Sequence, residues 1–205
     1  MKFFRLHWFD IGLVLACLTG GMILLTKLSP LSLALWINLI SLFLHQVEEY
    51  RYPGYFPGMM NTVMFSSKHP DRYPLNTNTA LIVNVFIGWV AYLLAAIFGE
   101  KTLWLAIATT LISVGNFFAH TFLFNIKGKT LYNPGMLTAI FLFVPISAYF
   151  GYVLIQSDLA TSADLAVGIL LGIALNYFGI LKLIDWLKDE KTEYVFPKRF
   201  LLPPK

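Results

Sequence analysis

Six stretches of this chain, each close to twenty residues long and nearly free of charge, restrict it to a bilayer. An apolar run of about 20 residues is what an α-helix needs to cross a hydrocarbon core of about 30 Å. The runs fall at about 9–29, 31–50, 79–98, 102–124, 135–156 and 164–187. None shows the period-2 alternation of membrane strands, so the pattern predicts helices rather than a barrel. Composition agrees, with 58% hydrophobic and only 13% charged residues, against about 25% charged in soluble domains. The expected fold class is all-α: a polytopic membrane helix bundle of about six transmembrane helices, forming one domain over residues 1–205.

The connections support this reading. Ser29-Pro30 joins the first pair of runs and Gly99-Glu100-Lys101-Thr102 the third and fourth, both too short for a further domain. Lys2 and Arg5 precede the first run as in a signal peptide, but no small-residue cleavage signature follows, so this run reads as an uncleaved span. The single cysteine, Cys17, has no partner for an internal disulfide. The segment 51–78, rich in proline, glycine and aromatics, is too apolar for a solvated loop and too broken for a span. It is expected to be interfacial or re-entrant, with Met59, Met60, Met64 and Phe65 facing lipid or covering a cavity. Residues 188–205 read as a tail outside the membrane.

Orientation follows from lysine and arginine placement. Six crossings put both termini, the 51–78 segment and the 125–134 connection on one side. That side carries thirteen of the basic residues, from Lys2 and Arg5 to Lys205; only Lys27 and Lys101 lie opposite. Both termini are therefore expected to be cytoplasmic, in a bacterial cytoplasmic (inner) membrane. The net charge of +4 then reflects topology and contact with anionic membrane lipid. It calls for no nucleic-acid partner.

Ionisable and amide residues within spans are costly unless paired or functional, so they carry the chemical information. The densest group is His45-Gln46-Val47-Glu48-Glu49, closing the second run. Spacings of three and four residues place Glu48 and Glu49 beside His45 on neighbouring parts of one helix face. An imidazole with two carboxylates suits a divalent metal or an acid–base set. Asn116 and His120 lie one turn apart near the end of the fourth run, on the same membrane side. Tyr132-Asn133-Pro134-Gly135, with Thr138 one turn on, opens the fifth. Asn-Pro is an ordinary helix start, yet a helix N-terminus also presents free N–H groups to negative charge. Asn84 is a further hydrogen-bond candidate, and Asn176 could pair with Asn116 or pack between helices. His7 and His69 read as surface residues.

With these residues the chain resembles the HXXEE-domain membrane proteins. The resemblance rests on His45-Gln46-Val47-Glu48-Glu49, on Asn116 with His120, and on Tyr132-Asn133-Pro134-Gly135, running from about Leu42 to Thr138. It implies an integral membrane protein and a metal-dependent enzyme. A more distant similarity is to the CAAX-type glutamate intramembrane proteases, whose first motif is Glu-Glu-x-x-x-Arg and second Phe-x-x-x-His. Here Glu48-Glu49-Tyr50-Arg51 places the arginine too early, and Asn116 stands where phenylalanine precedes the histidine. What carries over is an analogy of chemistry, glutamate-activated water beside histidine in a membrane cavity.

The expected activity is that of a metal-dependent hydrolase with metal ligands drawn from His45, Glu48, Glu49 and His120, binding zinc or iron. The glutamate not used as a ligand would act as general base, and Asn116 or the Asn133 helix start would steady an oxyanion. The substrate would be a membrane lipid or another small apolar molecule entering laterally under the 51–78 segment. Three alternatives use the same residues: an iron-dependent oxidoreductase, a metal-free acid–base lipid isomerase or hydrolase, and a proton-coupled transporter. The absence of His-Glu-x-x-His, of Gly-x-Ser-x-Gly and of many-histidine boxes removes other membrane enzyme classes. The orientation is testable by labelling: in a Cys17→Ser background, a cysteine at Lys129 should react with a membrane-impermeant maleimide only in inside-out vesicles. A cysteine at Lys101 should react only in right-side-out ones.

Overall fold

The computed structural model describes residues 1–203. Six helices are long and apolar enough to cross a membrane: α1 (Lys2–Leu25), α2 (Pro30–Tyr50), α3 (Thr77–Phe98), α4 (Leu103–Gly128), α5 (Met136–Ser157) and α6 (Ser162–Trp186). No strand occurs among the described residues. This is an integral membrane protein built as an all-helical bundle. The helix starts are written locally. Ser29 Oγ accepts from the Ser32 N–H at 3.0 Å, with Pro30 in the first turn of α2. Thr161 and Asp164 form a reciprocal capping box on α6. Helix α1 begins at Lys2, earlier than the apolar run at about residue 9, and its burial begins at Trp8 and Phe9. His7 therefore lies inside a helix, where its Nδ1 meets Asp10 at 2.8 Å.

Helix α2 is the hub. Its most apolar stretch is 56% buried within the protein, against 17–44% for the other five. It touches α1 on one side and α3, α4 and α5 on others, through Leu35, Leu39, Leu42 and Phe43. Outward faces of the remaining helices are apolar: Leu18 on α1, Phe86 on α3, Phe141 on α5 and Leu170 on α6 are all exposed. In water such a surface would aggregate; in hydrocarbon it is the solvated face. Polar residues in the interior are paired across helices. Tyr92 on α3 bonds Ser113 on α4 at 2.8 Å, and Ser113 Oγ donates to Asn38 on α2 at 2.8 Å. Trp89 Nε1 donates to Gln46 Oε1 at 2.7 Å, and Gln46 in turn donates to Asn84 at 3.1 Å.

One end of the bundle is closed by two segments outside the spans. A short helix, Phe56–Met59, continues as a wider π turn, Met60–Met64. Asn61, fully buried, holds this segment by bonding Pro70 O, Leu75 O and the Leu75 N–H at 2.8–2.9 Å. Met59 and Met60 point inward rather than to lipid, whereas Phe65 is exposed. The residues after α6, expected as a tail, instead form a strap across this segment. Thr77 N–H donates to Tyr194 O at 3.0 Å and Phe196 N–H to Asp71 O at 2.7 Å. Arg199 donates to Tyr50 O at 3.1 Å and stacks over Phe9 and Phe200. Gly58 passes so close to Leu201 that a Cβ there would lie 2.5 Å from the Leu201 Cα. Phe200, 1% exposed between Phe9 and Phe196, anchors the strap. Phe200→Ala should destabilise the protein by about 3 kcal/mol, as expected for an emptied aromatic site. Thermal melting in detergent would show this, with the half-exposed Leu202→Ala nearly neutral.

Candidate metal centre

The buried end of α2 meets the start of α5 and the last third of α4. Turning at 100° per residue, α2 brings His45 and Glu49 onto one face. His45 Nε2 lies 3.6 Å from Glu49 Oε1. His120, from a π turn at Ala119–Leu123 of α4, brings its Nε2 to 3.3 Å from the same oxygen. Ligand atoms of all three residues fall within 4.8 Å of one another. The three side chains are at most 6% exposed, and Phe56, Phe124 and Phe143 wall the imidazoles at centroid distances of 4.8–5.4 Å.

Hydrogen bonds on the far side of each ring set the tautomers. Asn133 Nδ2 donates to His120 O and to Asn125 Oδ1, both at 2.7 Å. Its Oδ1 is therefore the acceptor that faces His120 Nδ1 at 2.7 Å, so Nδ1 carries the proton and Nε2 a lone pair. The Thr138 hydroxyl is 2.6 Å from Glu48 Oε2. A carboxylate only accepts, so the hydroxyl spends its proton there and accepts from His45 Nδ1 at 2.9 Å. His45 Nε2 is then also bare. It is buried and has no hydrogen-bond partner. In the neutral tautomers that these bonds select, two imidazole lone pairs converge on one carboxylate oxygen. The separations also exceed the 2.7–2.9 Å of a charge-assisted hydrogen bond.

The two glutamates part company here. Glu48 was expected among the metal ligands, but its carboxylate turns to the start of α5. It accepts from the Leu137 and Thr138 N–H groups at 3.1 and 2.8 Å, from Thr138 Oγ1, and from Tyr132 Oη at 2.9 Å. A carboxylate so placed satisfies N–H groups that the helix start leaves free and sits at the positive end of the helix dipole. Burial and the neighbouring Glu48 hold the Tyr132 phenol well above its usual range, so it remains a donor. Glu48 is thereby occupied as the anchor of α5 and not free as a base. The same bonds take up the α5 amides that an oxyanion would need. Asn133 orients His120 and does not face the shared space between the ligand atoms.

Asn116 lies beside the triad, lining the cavity, with its amide donating to Ile112 O at 3.0 Å. Asn176 does not pair with it; Asn176 bonds Leu111 O at 3.2 Å and packs against Gly115, tying α6 to α4. Asn84 belongs to the Gln46 and Tyr50 network rather than to the triad. Gly135 has a role that spacing did not reveal. Its φ is +101°, and a Cβ there would lie 2.4 Å from His120 Cε1 and 2.8 Å from His45 Cε1. The clearance of both imidazoles depends on this glycine. Its only signal in the sequence is a glycine directly after Asn-Pro, where a helix start needs none.

Residues 36–150 match the family model described as a protein of unknown function with HXXEE motif. The chain is a member of the HXXEE family. The motif itself is His45 with Glu48 and Glu49, and the matched region also contains His120, Asn133, Gly135 and Thr138. The His45–Glu49–His120 triad and its outer hydrogen bonds therefore lie wholly inside the family region, whereas α1, most of the last turns of α5, and α6 lie outside it. No curated protein and no solved structure matches the chain.

Gly135→Ala should force the two imidazoles apart and strain a left-handed residue, lowering stability by about 2 kcal/mol or more. Gly20→Ala on α1, where a Cβ meets nothing within 4 Å, should leave the melting temperature unchanged or slightly raised. Parallel melting curves in detergent test the contrast.

Proposed function

We propose that His45, Glu49 and His120 hold one divalent metal ion, zinc or iron, and that the protein is a membrane enzyme acting on a lipid or other apolar substrate. The observation that supports this is the bare, buried and unpartnered Nε2 of His45, facing Glu49 together with the bare Nε2 of His120. A ligand set of two histidines and one glutamate is a known catalytic arrangement with an open position. Two ligand atoms each about 2.0–2.1 Å from a tetrahedral ion lie roughly 3.3 Å apart; the separations of 3.3 and 3.6 Å from Glu49 fit this, and the two imidazole nitrogens, within 4.8 Å, would draw together on an ion.

Asn133 and the Thr138–Glu48 pair then act as outer partners that fix each ring and raise its donor strength. A metal held there would lower the pKa of bound water or polarise a substrate carbonyl. The triad borders the cavity that Asn116 also lines, so the Asn116 amide could meet a substrate oxygen there. The reading favours hydrolysis by activated water, near the cytoplasmic face of a bacterial inner membrane. With only Glu49 at the imidazoles, the geometry offers less to a carboxylate-bridged iron pair. The Glu49–His120 distance of 3.3 Å also supports a second reading, in which these two residues exchange a proton without metal.

Purified protein supplied with zinc and iron during growth should retain about one metal ion per chain, the stoichiometry of a single three-ligand site. His45→Ala and His120→Ala should each reduce retention at least about tenfold. Glu48→Gln should lower stability more than metal content. Absence of stoichiometric metal in the wild-type protein, measured by elemental mass spectrometry, would leave the acid–base reading in its place.

A further inference from the structure

The triad borders a cavity of about 540 Å3 whose walls come from α2, α3, α4 and α6, with the Phe56–Met64 segment beneath. The lining follows α4 from Leu111 to Phe124, a length of about 20 Å at 1.5 Å per residue. The cavity is therefore long enough along α4 to take an extended apolar chain. Beyond the triad and a few amides its surface is apolar: Ile87, Leu111, Ile112 and Ile180 face it.

The way in is set by how α6 lies. In its first half α6 packs tightly on α4, with Gly168 against Ile107, Gly172 against Leu111 and Asn176 against Gly115. Past Asn176 it leans toward α3 instead, where Gly179 meets Ile87 and Leu187 O lies 3.5 Å from Thr79 Oγ1. Between the later turns of α4 and α6 the cavity wall is made by Phe118, Leu123, Tyr177 and Leu181, which are 45–56% exposed on the lipid-facing surface. The other end, under residues 51–76, is closed by the buried Phe56, Met60 and Leu75. The cavity thus has a lipid-side mouth, and the expected entrance beneath the 51–78 segment is covered.

We propose that this cavity binds the apolar chain of a membrane-borne amphiphile, which enters between α4 and α6 and brings its polar head to His45, Glu49 and His120. The placement of the head rests on the metal-centre reading; the chain site stands on the cavity's length, lining and mouth. The amphiphile is recognised by burial of its chain in a protein slot, with the one polar end of that slot at the triad.

The full chain in nanodiscs of diacyl phosphatidylcholine can be irradiated with a long-chain alkyl alcohol carrying a diazirine near its end. Peptide mass spectrometry should place label on the α3 and α4 peptides containing Ile87 and Leu111. Unlabelled alcohol should compete it away. Ala119→Trp, and independently Ile180→Trp, should cut that labelling by about tenfold while metal content stays at the wild-type level. His45→Ala should lose metal and keep the label. Cavity labelling in a wild-type protein that carries no metal would remove the metal reading and leave the chain site standing. Label confined to outward residues such as Leu18, Phe141 and Leu170, or unchanged in both tryptophan variants, overturns the proposal.

Discussion

The docking of Glu48 onto the start of α5 is the interaction from which the rest of the site follows. A carboxylate inside a bundle is tolerable only when its oxygens are met by donors. Glu48 is met by two amides, a hydroxyl and a phenol, all from residues 132–138. That contact fixes the position of α5 against α2 and takes the proton of the Thr138 hydroxyl. Thr138 then accepts from His45 and frees its Nε2. It also brings Gly135 over both imidazoles, which is why no side chain fits there. One carboxylate holds the helices; its neighbour Glu49, turned by 100°, is left to face the rings.

Enclosure gives this arrangement its chemical weight. The triad sits in a box of aromatic rings and is almost fully buried, so charges there interact in a medium of low polarity. Lone pairs brought together under those conditions are unfavourable without a cation or proton among them. The bundle maintains the convergence through partners outside it, Asn133 on one ring and Thr138 on the other.

Several helices depart from regular α geometry around this centre. Wider π turns occur at Ile82–Trp89 in α3, Ala119–Leu123 in α4, Ala139–Phe143 in α5 and Leu175–Lys182 in α6. Such turns redirect side chains and are frequent at functional sites. In α4 the turn contains His120 itself, and in α6 it accompanies the lean away from α4 that opens the cavity to lipid. Chemistry and access are shaped by the same kind of local distortion.

Much of this protein is legible in its sequence, because hydrocarbon admits few solutions. Runs of twenty apolar residues must be helices with their amides bonded internally, and His45, Glu49, His120 and the Asn133–Gly135 start stand out because polar groups in such runs need partners. Periodicity could not separate Glu48 from Glu49: adjacent residues on one helix diverge only when a second helix claims one of them, and α5 starts at Met136, with Tyr132 just before it 84 residues beyond Glu48. Nor could it show that the terminal residues fold back as a strap, since Phe196 and Phe200 bury themselves against residues such as Phe9 far away in the chain. The cavity and its mouth arise from how α6 crosses α4 at Gly115 and then leaves it. Sequence alone determined the solvent, the helices and which side chains required partners. The tertiary structure decided which partners they received, because those contacts join helices that the chain itself keeps far apart.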